Sequence, residues 1–140
     1  MCATYYARTS DHGYETCAEH LAMAGCLAGG FAKGFGYLDD GLLAGLVHDL
    51  GKYSDAFQRR IRNPDHCGPV DHSTAGALLL MRHVCPLAAM AVAGHHAGLP
   101  DLGSYGELEG STFMSRMNRA RRSGDCNPLA LAQAGEAQLD

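Results

Sequence analysis

Along most of the chain the apolar positions recur with helical rather than strand spacing. From Ala18 to Phe35, His20, Ala24, Leu27, Phe31 and Phe35 return every three or four residues on one stripe, which predicts a helix with an apolar face. Glycines 25, 29, 30 and 34 weaken that helix by up to ~1 kcal/mol each relative to alanine, a cost that makes sense where another helix packs closely against them. An apolar run opened by Asp39-Asp40 and closed by Gly51 predicts a short buried helix, with Asp40 as its N-cap and Gly51 as a left-handed stop. Ser54-Asp55 begins the next helix, with Phe57 and Ile61 as its apolar pair and Asn63-Pro64 as its end. After a loop over 63–70, Asp71 caps a helix reaching about Val84, on which His72, Gly76, Leu79 and His83 share a stripe. Pro86 opens a helix to about Gly94, and Ser111 to Arg122 predicts a last amphipathic helix with Phe113, Met117 and Ala120 inward. Residues 1–17 read as a strap across the first helix, and 103–110 as a loop. The tail over 126–140 reads as a weak helix or a disordered segment. No strand is predicted, so the fold class is all-α: one helical bundle over 1–140.

Composition agrees with that class and narrows the chemistry. A chain of 140 residues is long enough for one core, burying roughly two thirds of its unfolded surface. Apolar residues make up 46 % with four Phe and no Trp, which favours closely approaching helices over an aromatic-rich β core. The formal charge of −4 advertises no polyanion partner, yet two divalent ions would cancel it, so a phosphate substrate stays open. Six cysteines without a Cys-x-x-Cys pair, and no basic-then-apolar leader, predict reduced thiols in a cytoplasmic protein. No apolar run approaches the ~20 residues needed to span a bilayer.

The candidate chemistry centres on Leu46-Val47-His48-Asp49-Leu50-Gly51-Lys52. An imidazole beside a carboxylate inside an apolar helix calls for something to neutralise the charge, and a divalent cation is the obvious group. Lys52, three residues past Asp49, returns near the same side, where its ammonium can meet an anion. His20, His72 and the pair His95-His96 add four imidazoles from separate elements, which is how a metal site is built inside a helical bundle. Taken singly, each of these histidines reads as well as a core or surface residue. Together with His48 and Asp49 they are too many ligands for one structural zinc. They suit one or two catalytic ions, with Asp49 as a bridge between ions ~3.5–4 Å apart. Mixed imidazole and carboxylate donors favour Mn, Fe, Co, Ni or Zn over Mg. His83 lies three turns from His72 and is set aside, His12 reads as a surface histidine, and His66 and Cys67 are loop residues without a role. Arg59, Arg60 and Arg62 form a basic face that reads first as solvated and second as a phosphate-backbone contact. Arg116, Arg119, Arg121 and Arg122 form another, read as solvated.

The ordered set His20, His48-Asp49-x-Gly51-Lys52, Asp71-His72-Ser73-x-x-Gly76-Ala77 and Gly94-His95-His96-x-Gly98-x-Pro100-Asp101 resembles the HD-superfamily nuclease domain of the CRISPR-associated type I helicase-nuclease. The resemblance covers about residues 5 to 101. It implies an α-helical HD domain with a metal site at its centre that cuts single-stranded DNA in antiviral defence. It also implies a superfamily 2 helicase in cis or trans and an RNA-guided surveillance complex as partners. Carried over, His20, His48 and Asp49 correspond to the ligands of one metal, and His72, His95 and His96, with Asp49 shared, to those of a second. Asp49 and Lys52 take the catalytic roles, and Ser73 with Arg59, Arg60 and Arg62 are the candidate nucleic-acid contacts. The sequence departs from the family pattern twice. Arg8-Thr9 stands where many relatives carry His-Ser, and the family's last metal-binding aspartate has no clear counterpart among Asp125, Glu136 and Asp140. The expectation is therefore either a fragment without the family's C-terminal helices or an incomplete first metal site. A phosphohydrolase for small nucleotides and a truncated, inactive docking module are the competing functions.

Overall fold

Residues 6–10 and 13–16 pair as the strands of a β-hairpin where the sequence predicts only an irregular strap. In the computed structural model, which describes residues 4–11, 13–83, 85–124 and 126–139, Tyr6–Ser10 (β1) pairs antiparallel with Gly13–Thr16 (β2). A two-stranded ribbon is marginal by itself. This one is tied down by Gln58, whose buried amide accepts from Tyr6 N at 3.1 Å and donates to Tyr6 O at 2.9 Å, as a third strand would. His12 lies outside the described residues.

Thr16 ends the hairpin and starts the helix Cys17–Lys33 (α1) with a capping box: its hydroxyl accepts from Glu19 N while the Glu19 carboxylate accepts from Thr16 N. The face that α1 buries is Cys17, Leu21, Gly25 and Gly29, not the predicted stripe, and Leu27, Phe31 and Phe35 are 56 %, 76 % and 81 % exposed. The reason is closeness of approach to the next helix, Leu38–Val47 (α2). A Cβ on Gly29 would lie 3.3 Å from Leu38 O, and a Cβ on Gly45 only 2.5 Å from Ala24 O. Backbone-to-backbone contact, rather than the largest side chains, selects the buried faces of this pair.

Two predicted end signals act differently. Asp39 and Asp40 sit inside the first turn of α2, where they meet the positive end of its dipole, and Tyr37 takes the N-cap position. Gly51 is no left-handed stop. It lies in a 3₁₀ turn, Leu50–Tyr53, with its N–H donated to His72 O at 2.9 Å, and a Cβ there would meet His72 Cα at 2.5 Å. The helix Asp55–Arg62 (α3) forms as predicted, with the Ser54 hydroxyl accepting from Phe57 N. The next helix, Thr74–Arg82 (α4), starts later than predicted. Ser73, not Asp71, takes the N-cap position; Asp71 accepts from Ser73 N and Thr74 N ahead of it, and His72 falls in the lead-in to the helix rather than on its face. Pro86–Gly94 (α5) and Phe113–Ser123 (α6) follow, the latter capped by Thr112 and ended by Gly124 at φ 69°. The segment expected to be a weak helix or a disordered tail carries Pro128–Leu139 (α7), with Pro128 buried.

The helical class stands, with the hairpin as its one correction among the described residues. One core cluster joins α4, α5 and α6 through Leu78, Leu80, Ala89, Val92, Phe113 and Met117. A second joins the hairpin, α1 and the 3₁₀ turn through Ala7, Cys17, Leu21, Leu50 and Tyr53, with Ala75 of α4 against them. Among the described residues no helix is long and apolar enough to cross a membrane.

Candidate metal centre

Asp49 follows the end of α2 and is 3 % exposed, and five basic side chains close around it. Its Oδ2 lies 3.0 Å from His20 Nε2, 3.1 Å from His48 Nε2 and 2.7 Å from Lys52 Nζ. Its Oδ1 lies 3.2 Å from His95 Nε2 and 3.5 Å from His72 Nε2, and His96 Nε2 lies 2.7 Å from His72 Nε2. Each element delivers its ring at an end. His20 comes from the first turn of α1, His48 from the close of α2, His72 from the lead-in to α4, and His95-His96 from the close of α5. Close backbone approach holds these ends together, since Gly51 lets the 3₁₀ turn touch His72 and Gly76 lets α4 touch Val47.

The far nitrogens of three of these rings fix what the near ones present. His48 Nδ1 is 2.8 Å from Gly45 O, His72 Nδ1 is 2.9 Å from Val70 O, and His95 Nδ1 is 2.7 Å from Val92 O. A carbonyl oxygen only accepts, so each Nδ1 carries the proton, and in the neutral ring each Nε2 turns a lone pair toward the Asp49 carboxylate. Lone pairs do not attract a carboxylate. Protonating every ring would instead crowd several imidazolium charges and Lys52 around one acid. A cation held between them removes the conflict. Among the described residues Asp49 Oδ1 is buried without a hydrogen-bond partner, as an oxygen reserved for such an ion would be.

The ligand atoms fall into two groups that share Asp49: Asp49, His72, His95 and His96, and His20, His48 and Asp49. Within each group they lie within 4.8 Å of one another. Bonds of ~2.0–2.2 Å to nitrogen and oxygen let one ion reach atoms about 4 Å apart on opposite sides, so the cluster could hold a metal ion. The electrostatics are matched to that role. Burial alone would raise the Asp49 carboxyl, but the basic side chains packed against it, His20, His48, His95 and Lys52, hold it well below the usual carboxylate range. The Asp49 carboxylate raises His95, with burial opposing it, while burial and then the neighbouring charges of His95 and His72 lower His96. Both groupings are the ones expected from the sequence, and Lys52 lies where its spacing put it.

The expected nucleic-acid residues do not gather at this cluster. Ser73 is buried, with its hydroxyl accepting from Arg116 Nη2 at 2.6 Å. Arg60 donates to Cys67 O, Arg62 donates to Gln58 O and lies over the Tyr6 ring, and Arg59 is exposed. Helix α3 reaches the centre through Phe57, whose ring centroid is 5.3 Å from that of His72. His83 is exposed at the far end of α4, away from the groups that share Asp49.

Arg116, expected on a solvated face, turns inward. It donates to Thr74 Oγ1, Ala93 O, Asp71 Oδ1 and Ser73 Oγ, which fastens the segment before α4 to the end of α5, the two places that supply His72 and His95. Burial opposes ionisation of Asp71, yet the Thr74 hydrogen bonds and the Arg116 guanidinium keep its carboxyl below its ordinary value. The signal for Arg116 is its place between the buried Met114 and Met117, whereas Arg119, Arg121 and Arg122 fall on the exposed side. Compared with protein-family models and with curated proteins, the sequence gives no match.

Proposed function

We propose that the chain is a metal-dependent nuclease of the HD type that cleaves single-stranded DNA. The observation that carries this reading is the convergence of His48, His72 and His95 Nε2, with their protons committed to backbone carbonyls, on one buried and shared carboxylate. The motif order, from His20 through His95-His96, supports the HD assignment by resemblance and with it the phosphodiester substrate. Imidazole-rich donors favour Mn, Fe, Co, Ni or Zn over Mg. Bound ions would hold the scissile phosphate and supply an activated water. Asp49 and the five histidines keep that site in place, and Lys52 offers its ammonium to the charge developing on the phosphate oxygens. The Lys52 stem is buried, and its Nζ lies 5.5 Å from the Phe57 ring centroid, so the charge is aimed rather than free to swing. By the same resemblance, the partners are a superfamily 2 helicase in cis or trans and an RNA-guided surveillance complex, while the cysteine spacing favours a cytoplasmic setting.

The test is metal content by mass spectrometry, followed by incubation of labelled circular single-stranded DNA with and without manganese. Mononucleotides serve as competing substrates. The expected result is one ion held tightly by the group with four protein ligands, a second held weakly by the group with three, and metal-dependent opening of the circle. Hydrolysis of nucleotides with the circle intact would move the function to the small-nucleotide class. A folded chain that holds metal but opens no circle and hydrolyses no nucleotide would leave only a docking module whose metal is structural. Lys52→Ala is expected to keep its metal and to slow turnover by ~10²–10³, the scale for losing one transition-state donor. Metal loss in that variant would show that Lys52 supports the centre rather than the reaction.

A further inference from the structure

His20 stands apart from the other anchored rings in how its far nitrogen is held. His48, His72 and His95 each follow a helix end or a turn, where a carbonyl two or three residues back is free to accept. His20 is the fourth residue of α1, where the carbonyls point down the helix into its own ladder. A side chain from the preceding strand fills that place. Glu15 of β2 sets its buried Oε2 3.3 Å from His20 Nδ1, within ion-pair reach though outside hydrogen-bond geometry, while His20 Nε2 lies at hydrogen-bond distance, 3.0 Å, from Asp49 Oδ2. Arg8, the cross-strand partner of Glu15 in the hairpin, holds the same Oε2 from its Nε at 2.5 Å. A line of contacts therefore runs from Arg8 through Glu15 and His20 to Asp49.

We infer that Glu15 is a positioning residue for the metal centre, fixing His20 with its proton on Nδ1 and its Nε2 lone pair toward Asp49, with Arg8 holding Glu15 in place. The inference rests on the reading of this cluster as a metal site. A carboxylate partner makes an imidazole a stronger donor than a carbonyl partner does, and it serves the group His20, His48 and Asp49, which has three protein ligands against four in the other. It also gives the hairpin a purpose: β1 and β2 bring an arginine and a glutamate to a ring that no backbone carbonyl of its own helix orients. Arg8, which stands where the resembled family often carries histidine, then belongs to the support of the centre.

The experiment uses the full chain, as wild type, Glu15→Ala and Glu15→Gln, titrated with manganese and with nickel by calorimetry. Imidazole ¹⁵N spectra of the metal-free proteins are recorded alongside. In the wild type His20 is expected as the Nδ1–H tautomer. Glu15→Ala should lose that preference and weaken the weaker site by ~10–100-fold, leaving the tighter site within about 2-fold. Glu15→Gln, whose amide oxygen can still face Nδ1, should recover most of the affinity. Unchanged binding in Glu15→Ala, equal weakening of both sites, or a glutamine variant as weak as the alanine one overturns the inference. An Nε2–H tautomer at His20 in the metal-free wild type overturns it whatever the metal does. Absence of any metal binding by a wild type whose His20 is Nδ1–H would instead overturn the metal reading and leave the Glu15 contact standing.

Discussion

Asp49→Ala is expected to give a protein that cleaves no DNA and retains neither ion at wild-type affinity. The carboxylate is the only acid in both ligand groups, so one substitution removes the shared anionic donor from each. What remains is a group of imidazoles beside the Lys52 ammonium with no anionic donor among them, which repels a divalent cation as much as it binds one. Losses of supporting hydrogen bonds alone weaken metal sites by ~10–100-fold, so loss of the bridging ligand should exceed ~10²-fold at either site. Asp49→Asn separates charge from shape. It keeps an acceptor for Lys52 and the packing of a nearly isosteric side chain, and it is expected to fold with a far-ultraviolet circular dichroism spectrum like the wild type while still failing to hold metal. Metal content and circle opening, measured on both variants, check this. A normal metal count with full activity in Asp49→Ala sinks the shared-ligand reading.

The residues of the centre were legible because each is a rare, chemically loaded type at an element end, and their rank order along the chain carries the resemblance. Periodicity reads which residues lie on a helix but not which face the fold buries. On α1 it followed Leu27 and Phe31, the large side chains, whereas the packing follows Gly25 and Gly29, whose lack of a Cβ lets α2 approach. The same blindness hid Gly51, whose value lies in a contact with His72, distant in sequence, rather than in its own backbone angle. The hairpin was missed because its stability is not local: Gln58, some fifty residues on, supplies the partner that a short ribbon lacks. Glu15 and Arg116 are ordinary surface types by composition, and only the tertiary structure sets one against His20 and the other against Asp71, Ser73, Thr74 and Ala93. Sequence thus names the groups that could hold a metal more readily than those that aim them.

Gly76→Ala is expected to damage both stability and the metal centre, although the added group is one methyl on a helix that would otherwise gain from alanine. A Cβ at Gly76 would lie 1.9 Å from Val47 O and 2.8 Å from Val47 C, with Val92 Cγ1 at 3.2 Å. The obstructing atoms are backbone, so no rotamer change relieves them, and α4 must move away from the end of α2. Overpacking of this kind costs about 1–3 kcal/mol and more where backbone must shift. Val47 immediately precedes His48 and Asp49, while the chain leading into α4 carries His72, so the same displacement separates ligands that must stay within one ion's reach. Gly30→Ala is the control. It sits on the exposed side of α1 with nothing within 4 Å of a Cβ, and it should stabilise by ~0.5–1 kcal/mol through helix propensity. Thermal unfolding in the presence of a chelator isolates the packing effect, and calorimetric titration with manganese then measures the damage to the site. Gly76→Ala as stable as Gly30→Ala, with undiminished metal affinity, would mean that the centre does not depend on the close approach of α4 to α2.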